Sequence, residues 1–100
     1  MKPMRQGDVI LIPGWNVASA QLLRCSDLVL AQGEVTGHRH QITQGEAELF
    51  KYQETLYLRV ISEYALLTHE EHNPLKIAQG DWTVRIQREY EPAGWRYIVD

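Results

Sequence analysis

The chain has 100 residues, and its four histidines fall in two close pairs, His38/His40 and His69/His72. Imidazole nitrogens suit zinc, copper, nickel or iron, with zinc the default. Side chains alternate along an extended segment, so Thr36, His38, His40 and Ile42 share one face if residues 36–42 form a strand. Two imidazoles then stand side by side as nitrogen ligands, and Gly37 lets the backbone bend beside them. The second pair lies in Leu67-Thr-His-Glu-Glu-His-Asn-Pro74. Asn73-Pro74 is a turn signal. A spacing of three places both rings on one face of a helical turn, and it also works in a tight loop. It is not the zinc-protease H-E-x-x-H pattern, whose histidines stand four apart on a helix.

These residues predict a divalent metal held by His38, His40, His69 and His72. Glu70, Glu71 and Glu34 stand next in line as a further ligand or a base. Three protein ligands would leave an open position for hydrolytic chemistry, and four would make a structural site. The competing reading is a non-enzymatic interaction or assembly module with solvated histidines and no metal. Whether the two pairs meet in space separates the two. No reaction is specified by these residues.

The elements that must position the histidines are strands. Val9-Ile-Leu-Ile12 is a short apolar run between Gln-Gly-Asp and Pro-Gly, and Leu28-Val-Leu-Ala31 is similar. Leu56, Leu58 and Val60 alternate, as do Trp82, Val84 and Ile86 against Thr83, Arg85 and Gln87. Residues 47–52 form a weaker strand, and residues 96–99 a last one. Residues 17–23 predict a turn or two of helix with Asn16 as N-cap, and residues 65–72 a short turn. Gln-Gly followed by an acid recurs at Gln6-Gly7-Asp8, Gln32-Gly33-Glu34, Gln44-Gly45-Glu46 and Gln79-Gly80-Asp81. We read these as four turns, each preceding a strand, with no functional role. Their unequal intervals exclude a solenoid repeat. The expectation is an all-β fold: one small single-domain barrel or sandwich over residues 1–100, with short turns and at most one short helix.

Composition narrows the partners. A net charge of −3 with scattered basic residues argues against nucleic acid and against an anionic membrane surface. The start of the chain is too short in apolar length for a signal peptide, and no stretch reaches a membrane span. A lone Cys25 forms no disulfide within one chain, suits a reducing cytoplasm, and lacks a neighbouring base that would make it a nucleophile. Three tryptophans and five tyrosines belong more to core or interface than to a ligand pocket. A small β domain of this kind is expected to self-associate, as a homodimer. Gln87-Arg-Glu-Tyr-Glu91 is expected to be the mixed-charge face of an edge strand.

Two segments carry a resemblance. GEVTGHRH and LTHEEHNP, with the opening RQGDVILIP and the closing QREYEP, resemble a group of small uncharacterised bacterial and phage-borne proteins. The resemblance implies an accessory protein carried on mobile DNA and brings no activity with it. A looser similarity is to cupins. It implies His38 and His40 as a strand pair, Glu46 as the acid and His69 or His72 as the last ligand. Glu46 stands one or two positions too far along, and the Gly-Asp-to-Pro strand precedes the histidine pair instead of following it.

Overall fold

The computed structural model describes residues 1–33, 36–91 and 94–97, with side chains described up to residue 87. Among the described residues ten strands follow one another: β1 (Met4–Gln6), β2 (Val9–Pro13), β3 (Leu23–Arg24), β4 (Val29–Gln32), β5 (Arg39–Gln44), β6 (Ala47–Tyr52), β7 (Thr55–Thr68), β8 (Leu75–Ile86), β9 (Arg88–Glu91) and β10 (Gly94–Tyr97). A one-turn 3-10 helix, Ser19–Gln21, interrupts them. Its N-cap is Ala18, not Asn16. The Asn16 side chain instead accepts the Tyr57 hydroxyl at 3.3 Å. The all-β expectation holds.

The first eight strands form one antiparallel sheet in the order β1-β2-β8-β7-β5-β4, with β6 on β7 and β3 on β6. Strands β9 and β10 pair separately. Among the described residues no pairing joins β1 to β4, so the sheet is open. The structure therefore corrects the barrel alternative in favour of the sandwich.

The long hairpin β7–β8 makes the sandwich. On one edge of β7, β6 pairs with residues 55–60 and β5 with residues 66–68. Strand β8 runs along the other edge, with an irregularity between Val60 and Tyr64. There the inward face changes parity. Leu58 and Val60 are buried before it, and Ala65 and Leu67 after it. On β8 Ile77 is buried before Gly80, while Trp82 and Val84 are buried after it. The two halves turn their apolar faces toward one another, and Val9, Leu11, Leu49, Leu58, Trp82, Ile42, Leu67 and Ile77 join one core.

Three sequence expectations change here. Residues 65–68 continue β7 and form no helical turn. Strand β8 starts at Leu75, well before Trp82. Gln79-Gly80-Asp81 is not a turn before a strand; it lies inside β8, where Gly80 takes φ 136 opposite Val60. The first and third of these motifs do turn, with Gly7 at φ 59 and Gly45 at φ 90. Glu34, Ile98 and Val99 lie outside the described residues, and the side chains of residues 88–91 do as well.

Candidate functional site: a histidine cluster at the end of the core

The inward rows of the second half end in histidine. On β7 the buried row Ala65, Leu67 continues to His69, and on β5 the row of Ile42 continues to His40. His38 and His72, both half-buried, stand just outside these rows. The two pairs therefore meet. Ring centroids lie 4.2 Å apart for His40–His69, 4.6 Å for His69–His72, 5.8 Å for His40–His72 and 5.5 Å for His38–His69. The expectation that the histidines are solvated is corrected, because His40 is 0% and His69 8% exposed.

The β1–β2 turn closes this end. Gly7 reverses the chain in the left-handed region, and the side chains on either side, Gln6 and Asp8, are both buried. Gln6 Nε2 donates to the carbonyls of Leu67 and Asn73, each at 2.9 Å. That fixes the amide, so Gln6 Oε1 is the acceptor and His40 Nδ1–H the donor across 2.9 Å. His40 Nε2 faces Asp8 Oδ1 at 3.2 Å. Both nitrogens of His40 are thereby engaged. Gln6 and Asp8 were missed by the sequence reading; a polar residue on each side of a turn glycine looks like any wet turn.

His69 is held by its own turn. Its Nδ1 accepts the Glu71 backbone N–H at 3.0 Å, so the neutral ring carries its proton on Nε2. The two glutamates flank the cluster from outside. Glu70 Oε1 accepts the Arg39 N–H at 3.0 Å, and that bond, with the nearby histidines, holds the Glu70 carboxyl below its ordinary value. Glu71 Oε1 lies 3.5 Å from His38 Nδ1. Beside the cluster an open hollow of about 430 Å³ is lined by Gly37, Arg39, Gln41, Thr68, His69 and Glu70.

The metal and zinc reading does not survive this geometry. Among the described residues, no group of three or more His, Cys, Asp or Glu side chains is placed to hold a metal ion. Ligating imidazoles aim nitrogens at one point about 2.0–2.1 Å away, and the second nitrogen carries a proton that it donates. Here the rings meet as packing partners, His40 and His72 stacked at 19° and His40 and His69 tilted by 33°. His69 Nδ1 accepts a hydrogen bond, the reverse of a zinc ligand's habit. Glu46, the acid implied by the cupin resemblance, is exposed in the β5–β6 turn, past the end of β5 opposite His40. Its N–H is bonded by Ser62 Oγ.

Residues 5–87 match the family described as Domain of unknown function (DUF8820). The chain belongs to that family. The matched span holds the four histidines, Gln6 and Asp8, and it ends at the junction between β8 and β9. No curated protein and no solved structure matches the chain.

Elsewhere the outer face of the first half is polar and aromatic. Trp15 stacks edge-on to Phe50 and Tyr57, and its Nε1 donates to the Trp82 carbonyl at 3.2 Å. The Arg59 guanidinium lies 4.5 Å from the Trp15 ring and pairs with Asp81 at 2.8 Å. Cys25 is partly covered; burial first, then Asp27, pushes its thiol up, so it stays protonated and inert at neutral pH. No helix among the described residues is long and apolar enough to cross a membrane.

Proposed function

We propose that this domain is a non-enzymatic interaction or assembly module, a cytoplasmic accessory protein of the kind carried on mobile DNA, in which the histidines serve the fold. The observation behind this reading is the bonding of His40 and His69. Both nitrogens of His40 and the Nδ1 of His69 are engaged by the protein's own groups. Imidazoles spent on Gln6, Asp8 and the Glu71 amide tie the β1–β2 turn, β5 and the 69–74 turn together, and a partner is met elsewhere.

A second copy of the chain is the partner we favour, and nucleic acid is disfavoured by the acidic net charge. Ile61 and Tyr64 are 43% and 39% exposed at the bend of β7, and Met1, 73% exposed, reaches Gly80 across from Val60. Exposed apolar residues near the bend of one strand mark a contact surface better than single scattered ones do. Sedimentation of the untagged protein tests this. We expect a dimer that Ile61→Glu converts to a folded monomer. A wild-type monomer at all concentrations overturns the homodimer. Elemental analysis of the same sample tests the role of the histidines: a stoichiometric metal lost in His40→Ala overturns the reading itself.

A further inference from the structure

We propose that the outer face of the first half carries a site for a small zwitterion, a free amino acid with an apolar side chain. The other arginines of this face are engaged. Arg59 pairs with Asp81 at 2.8 Å and Arg24 with Glu48 at 2.8 Å. Arg5 donates to the Gly7 carbonyl and to the Gln87 side chain. Among the described residues, Arg85 and Glu54 have no such ion pair. Both are exposed, and both line one hollow of about 330 Å³ with Asn16, Thr55, Tyr57 and Thr83. A guanidinium and a carboxylate that share a hollow without pairing leave room between them for a group of each sign. A carboxylate fits the planar fork of Arg85, and an ammonium fits Glu54. A polyanion would bring like charge against Glu54, and a plain hydrocarbon would strip water from two charged groups.

The strand register builds the floor of this hollow. Tyr57 stands opposite Thr83, and Thr83 opposite Ile12, so the three share the outer face of β7, β8 and β2. Tyr57 and Thr83 are 5% and 6% exposed. Their hydroxyl protons are already placed: Thr83 donates to the Gly14 carbonyl at 2.6 Å, and Tyr57 to Asn16 Oδ1 at 3.3 Å. Their lone pairs can still accept, and the Asn16 amide keeps its N–H groups to donate. The 14–16 segment is held in place without a ligand. The Gly14 N–H donates to the Asp81 carbonyl at 2.7 Å, and Trp15 packs edge-on against Phe50 and Tyr57. A site held in advance loses less on binding.

A smaller hollow of about 170 Å³ shares Asn16, Thr83 and Arg85 and adds Ile12, Pro13 and Trp15. These last three offer an apolar side chain a surface, while the charged end of the ligand stays between Arg85 and Glu54. Neither hollow includes a residue of the histidine cluster or the exposed Ile61 and Tyr64. The site therefore stands apart from the self-association surface proposed above.

Backbone nitrogen-15 spectra of the full chain, titrated with L-leucine, L-valine and L-phenylalanine, test the proposal. Three further probes each lack one feature of leucine: isocaproate has no ammonium, isoamylamine no carboxylate and glycine no side chain. We expect saturable shifts at Asn16, Glu54 and Arg85 with at least one of the apolar amino acids. Binding of each half-probe should be about fivefold weaker than that of leucine, the factor that one exposed charge pair carries at most. Arg85→Gln should weaken leucine to the level of isoamylamine, and Glu54→Gln to the level of isocaproate. No saturable shift with any of the three amino acids overturns the site, as does isocaproate or glycine binding as tightly as leucine. The wild-type titrations decide this even if a variant fails to fold.

Discussion

At the residue scale the histidines differ in what they hold. His40 is fully buried between a neutral amide and a carboxylate. Removing it strands Gln6 Oε1 and leaves Asp8 without its imidazole. His40→Ala should therefore cost about 3–5 kcal/mol in a urea melt, the range for breaking a buried pair by deleting one partner. His38 is half-buried and meets Glu71 across a long 3.5 Å. His38→Ala should cost less than about 1 kcal/mol, as exposed ion pairs do. Equal losses in the two variants would mean that the cluster acts as four interchangeable rings, which the bonding of His40 contradicts. The order of these two losses could not be read from the sequence, where both residues sit in one His-x-His pair.

At the element scale the β5–β6 turn offers a sharper test of the fold. Gly45 has φ 90, and a Cβ there would lie 2.5 Å from the Tyr64 carbonyl oxygen and 2.9 Å from the Ala65 Cα. Neither atom can move without disturbing the β7 bend. Gly14 has φ 93 but opens onto free space. Gly14→Ala should cost about 1–2 kcal/mol from the left-handed backbone alone. Gly45→Ala should cost clearly more, because overpacking adds about 1–3 kcal/mol to the backbone term. Thermal melts of the pair would show it; equal shifts would mean that β7 does not bend at Tyr64 and Ala65.

The same bend explains why some elements were legible and others were not. Val9–Pro13 runs apolar without interruption and its strand lies where the pattern puts it, while the alternating row Trp82, Val84, Ile86 marks only the far part of β8, which begins at Leu75. Strand β7 has the same kind of row twice, at even positions up to Val60 and at odd positions from Ala65. An alternation that changes phase halfway looks like two short segments. The second half accordingly reads as a turn. Gly80 misled in the same way, because a glycine at a bend inside a strand carries the same letters as a glycine between strands.

At the scale of the whole molecule, acid acts through Glu70. Its carboxyl is held below an ordinary value of 4.5, chiefly by the Arg39 N–H. A group depressed in the folded state contributes stability above its unfolded value and loses it as the pH falls through the folded one. Glu70→Gln should therefore lower stability by the same amount throughout pH 5 to 7, without changing the pH slope there, and remove the further loss below about pH 4.5. A Glu70→Gln effect centred near pH 6 would mean that Glu70 is coupled to the cluster instead of to the β5 backbone.

The amino-acid sequence by itself determined the fold class, because alternation, short apolar runs and glycine turns are local signals that a β-strand reads directly. It also marked the four histidines as two close pairs. Only the tertiary structure decided what they do. Two pairs about thirty residues apart meet because β7 bends and β5 lies along its far half. Gln6 and Asp8 reach them from a turn with no sequence link to either pair. Whether an imidazole is a ligand or a structural tie depends on which nitrogen donates and which accepts, and that depends on neighbours the sequence spacing does not reveal.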